Sequence, residues 1–396
     1  MKTLLLARPD HSTFLYEELR KNSEIDIKYH TFGAFKRGSI LNRWKPSVKS
    51  VDAEVEISYS FTFFHRLLYE LQKRINFDYY RIENQMSEFF FKKILQKYND
   101  EVNIIHYWSI YCHQSIRTFQ KQNPQTKLLA DVYAAHPDYV REILEPEYDK
   151  CGWSVENSHF IKSRDRDIAS LEGVENMLVP SEYMAQIYQN YFPNTKIFTA
   201  SYGLFNENKK TVKLSKRSSN ESLKLVFVGK ISIEKGSIYL LQAMKQLPET
   251  AFQLDLIGEV EMSQYEIFKP YFNLSNIKFL GKLPHDKVLE VLPNYHIFAL
   301  PSLTDAYSLA VSEALTQKLP VIITENVGNK DDVNQFKIGK VCKAKDADSL
   351  IEAILSLQDE EYRQMLIMNI DNFIADSQKN SYPSKVLNIY NQLLTE

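Results

Sequence analysis

Two lysines five residues apart and two carboxylates eight residues apart are the side chains whose spacing best suits a charged, hydroxyl-bearing ligand. Lys230 and Lys235 stand in Leu225-Val-Phe-Val-Gly-Lys-Ile-Ser-Ile-Glu-Lys-Gly236, which reads as a buried strand, a glycine turn, two cations and a second glycine opening a helix. Two ammonium groups and the unpaired N–H groups of a helix start can hold a pyrophosphate. The plainer alternative is a strand-to-helix turn with solvated lysines; neither GxxxxGK[ST] nor GxGxxG matches here. Asp305 and Glu313 stand in Phe298-Ala-Leu-Pro-Ser-Leu-Thr-Asp-Ala-Tyr-Ser-Leu-Ala-Val-Ser-Glu-Ala-Leu315, which predicts a buried strand, a loop presenting Asp305 and a helix beginning near Tyr307. An anion resting on that helix start would have one carboxylate beside it and one deeper, each able to accept from hydroxyls. Taken singly, Asp305 also fits a helix cap and Glu313 a solvated helix face.

Such groups have to be held at strand ends. Short apolar, β-branched runs alternate with helical patterns, the signature of parallel sheets covered by crossover helices. Strands are expected at 3–7, 25–31, 102–107, 127–133, 176–179 and 196–201, with a long helical stretch over 61–98. A polar segment then marks a linker, and strands resume at 223–228, 253–257, 277–280, 297–300, 321–324 and 340–341. The reading is α/β: two doubly wound domains, 1–205 and 223–380, separated by a linker at 206–222. A tail at 381–396 carries an apolar helical pattern at Val386, Leu387, Ile389, Tyr390, Leu393 and Leu394 that continues neither sheet, so it is expected to pack back on the first domain.

Glycine is scarce, 11 in 396 residues, against about 7% in average usage. Gly229, Gly258 and Gly281 each follow an expected strand of the second half, the edge where open parallel sheets bind ligands. The 48 basic and 50 acidic residues leave a net charge of −2, with no basic field for nucleic acid and no acidic tail. Cys112, Cys151 and Cys342 show no metal or disulfide spacing. The run Leu4 to Ala7 is too short for a signal segment, and no stretch approaches a membrane span, so a cytoplasmic location is expected.

Taken in order, Gly229-Lys230…Lys235-Gly236, Gly281-Lys-Leu-Pro, Pro301-Ser-Leu-Thr-Asp305 with Glu313-Ala-Leu315, Leu319-Pro-Val-Ile322 and Val327-Gly328 resemble the C-terminal domain of family 4 retaining glycosyltransferases. The first half matches more loosely through Ile105-His106-Tyr107, Asp131-Val-Tyr-Ala-Ala-His-Pro137, Pro180-Ser-Glu-Tyr183 and Tyr202-Gly203. The resemblance implies the GT-B fold, two Rossmann-like domains facing a central cleft with a C-terminal helix crossing back to the first. It implies a nucleoside diphosphate sugar donor and a saccharide or lipid-linked saccharide acceptor, as in bacterial surface polysaccharide synthesis. Donor binding would then involve Gly229, Lys230, Lys235, Leu283 beside the base with Lys282, Asp305, Ala306, Tyr307, Ser308, Leu309 and Glu313 on the ribose. His136 would reach across the cleft to the sugar as a catalytic group with Lys230, Lys235 and Asp305, and Gly203 would mark the hinge side. The usual E-G-F-G loop is here Asp305-Ala-Tyr-Ser308, and the glycine pair usual after the first strand is absent from Arg8-Pro-Asp-His-Ser-Thr13.

The transfer expected is same-face displacement, with Lys230, Lys235 and the helix start near 306–309 stabilising the leaving phosphate. No cofactor or metal is expected; Asp346-Ala-Asp348 resembles a metal motif but reads as a helix cap. Segment 61–98 holds eleven aromatics and seven Lys or Arg against four acids, a composition suited either to a membrane interface at the inner face of the cell membrane or to core packing with snorkelled lysines. An epimerase or phosphorylase on the same fold, or an inert saccharide-binding scaffold, are the alternatives.

Overall fold

The apolar runs assemble into two wholly parallel sheets. The computed structural model describes residues 1–7, 11–31, 35–37, 50–51, 55–57, 59–72, 75, 79–98, 102–154, 159–204 and 221–395. The first sheet takes β1 (Lys2–Leu6), β2 (Asp26–Thr31), β5 (Glu56–Ile57), β6 (Ile104–Trp108), β7 (Lys127–Asp131), β8 (Asn176–Val179) and β9 (Lys196–Thr199), with β3 (Phe35–Lys36) and β4 (Ser50–Val51) pairing apart from it. The second sheet takes β10 (Leu223–Val228), β11 (Phe252–Ile257), β12 (Ile277–Gly281), β13 (Ile297–Leu300), β14 (Val321–Thr324) and β15 (Gly339–Cys342). Helices cover both faces, so central strands such as β13 are apolar and buried at every position.

The strand orders are β5-β2-β1-β6-β7-β8-β9 and β12-β11-β10-β13-β14-β15. In each, the chain winds outward from a central strand and then crosses to that strand's other side. This reversal opens a crevice at the carboxyl ends of β1 and β6 in one sheet and of β10 and β13 in the other. Lys230 and Lys235 follow β10, and Asp305 follows β13, so the topology delivers them to one crevice.

Helix Glu360–Lys379 lays Leu366, Ile370 and Phe373 on the second core. The chain turns at Asn380, and helix Tyr382–Thr395 lays Val386, Ile389, Tyr390 and Leu393 on the first core, at the spacing of one helical face. Each such apolar side chain contributes about 1.5–3 kcal/mol by leaving water. The expected return of the tail to the first domain is therefore present. His106, fully buried on β6, bonds the Tyr390 hydroxyl at 2.7 Å and approaches Asp131 at 3.4 Å, which pins that helix. Of the expected linker, residues 206–220 lie outside the described residues.

Candidate active site at the second sheet's switch point

Glycine brings the two loops together. Gly236 has φ +64°, and a Cβ there would sit 1.8 Å from the Pro301 carbonyl oxygen. A Cβ at Gly258 would likewise strike the Gly229 carbonyl, so the turns after β10 and β11 also close by backbone approach. The Leu303 N–H donates to the Glu234 carbonyl at 2.9 Å. At the junction, the Lys235 ammonium lies 2.7 Å from an Asp305 carboxylate oxygen. Lys230 pairs with Glu261 beyond β11, and Glu313 accepts from or pairs with His285 at 2.8 Å. Each cation and carboxylate singled out by sequence thus has an oppositely charged or hydrogen-bonding partner.

The loop 301–308 is held from behind. Asp305 bonds Asn326 and Gly328 through its backbone, and a Cβ at Gly328 would sit 1.8 Å from the Ala306 carbonyl. The helix begins at Leu309, two residues later than expected near Tyr307. The Ser308 N–H is taken by the Asn329 side chain at 2.7 Å, and the Ala306 carbonyl by Ser181 of the first domain at 2.8 Å. Tyr307 points away from the crevice: it is buried, donates to Asp332 at 2.8 Å and packs edge-on to Tyr202 in the first core. Its side chain therefore belongs to the interdomain core, and any donor contact expected at this position is one of its backbone. N–H groups from Leu309 onward, orphaned by helix geometry, stand where the anion was expected, with the Leu309 side chain exposed.

Leu283 is partly buried against the second core, and Lys282 beside it is exposed. His136, expected at the cleft, caps a first-domain helix. It is 3% exposed, stacks on Tyr191 at 3.8 Å and accepts the Asp138 N–H as the cap of helix Pro137–Lys150. Burial, ahead of the opposing Asp138 charge, holds its pKa below the usual histidine value. Gly203, at φ +63°, lies against Ser377 where the returning helix begins its approach. Asp346 caps helix Ala347–Ser356 through the Ser349 N–H at 2.9 Å, and no group of three metal-ligating side chains exists among the described residues. All three cysteines are free.

In the 61–98 segment, Phe63, Phe64, Leu67 and Phe89 are exposed whereas Tyr79 and Phe91 are buried, so part of the segment packs in the core and part faces outward. No helix among the described residues is long and apolar enough to cross a membrane. Sequence reasoning missed Glu261, His285, Asn329 and Ser181. Of these, Ser181 and His285 adjoin or belong to motifs already noted, and Asn329 follows Gly328.

Residues 208–373 match the family model described as glycosyl transferases group 1. An uncharacterized glycosyltransferase of Methanocaldococcus jannaschii is 28% identical over 41% of this chain and 46% of its own length. The UDP-Gal:alpha-D-GlcNAc-diphosphoundecaprenol alpha-1,3-galactosyltransferase of Escherichia coli is 26% identical over 39% of this chain and 41% of its own. The chain thus aligns with less than half the length of these relatives. Sucrose-phosphate synthase from Thermosynechococcus elongatus superposes over all of both chains with a TM-score of 0.63 at 16% identity. The chain has the GT-B fold, and its second domain carries the glycosyl transferases group 1 signature.

Proposed function

We propose that the protein is a retaining glycosyltransferase that moves a sugar from a nucleoside diphosphate sugar to a saccharide or lipid-linked saccharide. The observation that carries this reading is the convergence of Lys235 and Asp305, 2.7 Å apart, at the crevice where β10 and β13 end. A donor diphosphate would take the Lys235 and Lys230 ammonium groups from Asp305 and Glu261. Asp305 is then released to accept from hydroxyls of the transferred sugar, and Glu313 exchanges His285 for the ribose hydroxyls. The sugar's C1–O bond to phosphate breaks while the acceptor oxygen bonds C1 on the same face, and the acceptor proton passes to the leaving phosphate. Lysines and orphan helix N–H groups meet the charge that develops there, without a metal. The likeness to a diphosphoundecaprenol-directed transferase supports a lipid-linked acceptor in surface polysaccharide synthesis, with the exposed aromatics of 61–98 at a membrane face. His136 supports the fold of the first domain rather than touching the sugar.

Lys235→Ala should lower kcat with any accepted donor by about 10²–10³-fold, the usual scale for removing one prealigned charge-stabilising group. Near-normal turnover in that variant would remove the phosphate assignment.

A further inference from the structure

Helix Pro137–Lys150 belongs to the first domain, yet its buried face lies on the second. Leu144 and Tyr148 are wholly enclosed with Ile233 and Leu303. The Tyr148 hydroxyl donates to the Glu234 carboxylate at 2.7 Å, the Tyr239 hydroxyl donates to Glu147, and the Lys345 ammonium donates to the Ile143 carbonyl at 2.6 Å. Of these, the Tyr148 bond and the Ile233 contact fall on the loop after β10, the Tyr239 bond on the helix that follows it, and the Lys345 bond beyond β15. Glu234 directly precedes Lys235, and its carbonyl accepts the Leu303 N–H from the loop after β13. One residue therefore ties the two halves of the crevice together through its backbone and ties both to the first domain through its side chain.

We propose that Tyr148 is a positioning residue for the phosphate-binding loop: by holding Glu234, the first domain fixes where Lys235 and Asp305 stand. This rests on the reading of Lys230 and Lys235 as a diphosphate site. Tyr148 touches no ligand. Without its hydroxyl, the Glu234 carboxylate loses that donor at the edge of an apolar cluster, and the 232–236 turn, left with its anchors inside the second domain such as Gln264 on the Ile233 N–H, samples other geometries more often. Donor binding must then pay for restoring the bound geometry, which lowers apparent affinity by the fraction of molecules already correctly arranged.

The test uses the full chain and the variants Tyr148→Phe, Glu234→Gln and Glu234→Ala. Phenylalanine keeps the ring against Leu144 and Trp153, and glutamine keeps an acceptor for the hydroxyl. Amide exchange of 230–236 and 301–309 is followed without ligand, and calorimetry follows uridine, guanosine and adenosine diphosphates and their hexose forms. Tyr148→Phe and Glu234→Ala should each speed exchange of 230–236 and raise the Kd by about tenfold, the scale of a hydrogen bond to a charged acceptor. The double variant should be no worse than either alone, and Glu234→Gln should stay near wild type. The proposal is overturned if Tyr148→Phe lowers the melting temperature while exchange and Kd keep their wild-type values, or if the double-variant effects add. If the wild type binds none of the diphosphates, the donor reading fails instead; unchanged loop exchange in Tyr148→Phe would overturn the positioning claim separately.

Discussion

Gly236→Ala isolates the contact on which the crevice depends. The position has φ +64°, where an L side chain costs roughly 1–2 kcal/mol. The new Cβ would also meet the Pro301 carbonyl oxygen at 1.8 Å, a backbone atom that cannot swing aside. Relieving such overpacking costs about 1–3 kcal/mol, so the expected loss is about 2–5 kcal/mol. The relief moves the β10 loop from the β13 loop, and Lys235 from Asp305. Gly281→Ala is the reference, because φ is +69° and nothing lies within 4 Å, leaving strain of about 1–2 kcal/mol alone. Gly339→Ala supplies the clash at a distance: its Cβ would sit 2.1 Å from the Val321 carbonyl, on the far strand of the sheet. Urea unfolding gives the stability of each variant, and calorimetry with nucleoside diphosphates gives donor affinity. Gly236→Ala should lose stability beyond Gly281→Ala, and should lose donor affinity at least tenfold where Gly339→Ala keeps it. Equal stabilities for the 236 and 281 variants, or wild-type donor binding in Gly236→Ala, would refute the account of how the loops meet.

Stability should fall on mild acidification. Burial, the largest influence on each, lowers the pKa of His30 and of His113 to about 4. The unfolded chain takes up these protons near pH 6.5 and the folded chain does not, so the stabilisation is complete above that pH. It is lost progressively as pH falls from about 6.5 to about 4, on the order of 3 kcal/mol per histidine. Urea midpoints at pH 7.5 and 4.5 should differ less in the His30→Asn and His113→Asn variants than in wild type; an unchanged difference would contradict this. For the membrane face, flotation with vesicles containing anionic phosphatidylglycerol should recover wild type and should recover several-fold less of a Phe63→Ser, Phe64→Ser, Arg66→Glu variant, whereas equal recovery would place the exposed aromatics elsewhere.

The parts of the fold legible in sequence are those with a local cause. Strands β8, β10, β13 and β14 coincide with their runs because a strand buried on both faces is mostly apolar, wholly so in β13 (Ile-Phe-Ala-Leu300). The two-residue strands β3, β4 and β5 carry no periodicity to read. At the candidate site, the places of Lys230 and Lys235 after β10 and of Asp305 after β13 are legible because a turn glycine or a strand end marks each. The direction of the Tyr307 ring is hidden because a motif gives chain position and not side-chain direction: the ring turns into the Tyr202 contact. The burial of His136 is hidden for a different reason. The rings that bury it, Tyr188, Tyr191 and Phe192, lie more than fifty residues onward and reach it only through the packing of helix Glu182–Tyr191.

Tyr148 belongs to the same class of hidden information. Its neighbours in sequence, Glu145-Pro-Glu-Tyr-Asp-Lys150, read as a charged helix end, and the partner that gives the hydroxyl a function is 86 positions away. What recovers it is the topology. A doubly wound sheet concentrates its ligand groups at one crevice, and a second domain can influence that crevice only through whatever it lays across the crevice's loops. Helix Pro137–Lys150 is such an element, its Leu144 and Tyr148 sharing a buried cluster with the residue two before Lys235 and the residue two before Asp305, while Ser181 holds the Ala306 carbonyl of the other loop. On the proposed reading of Lys235 as a phosphate ligand, substitutions at these contacts should change donor affinity before they change turnover.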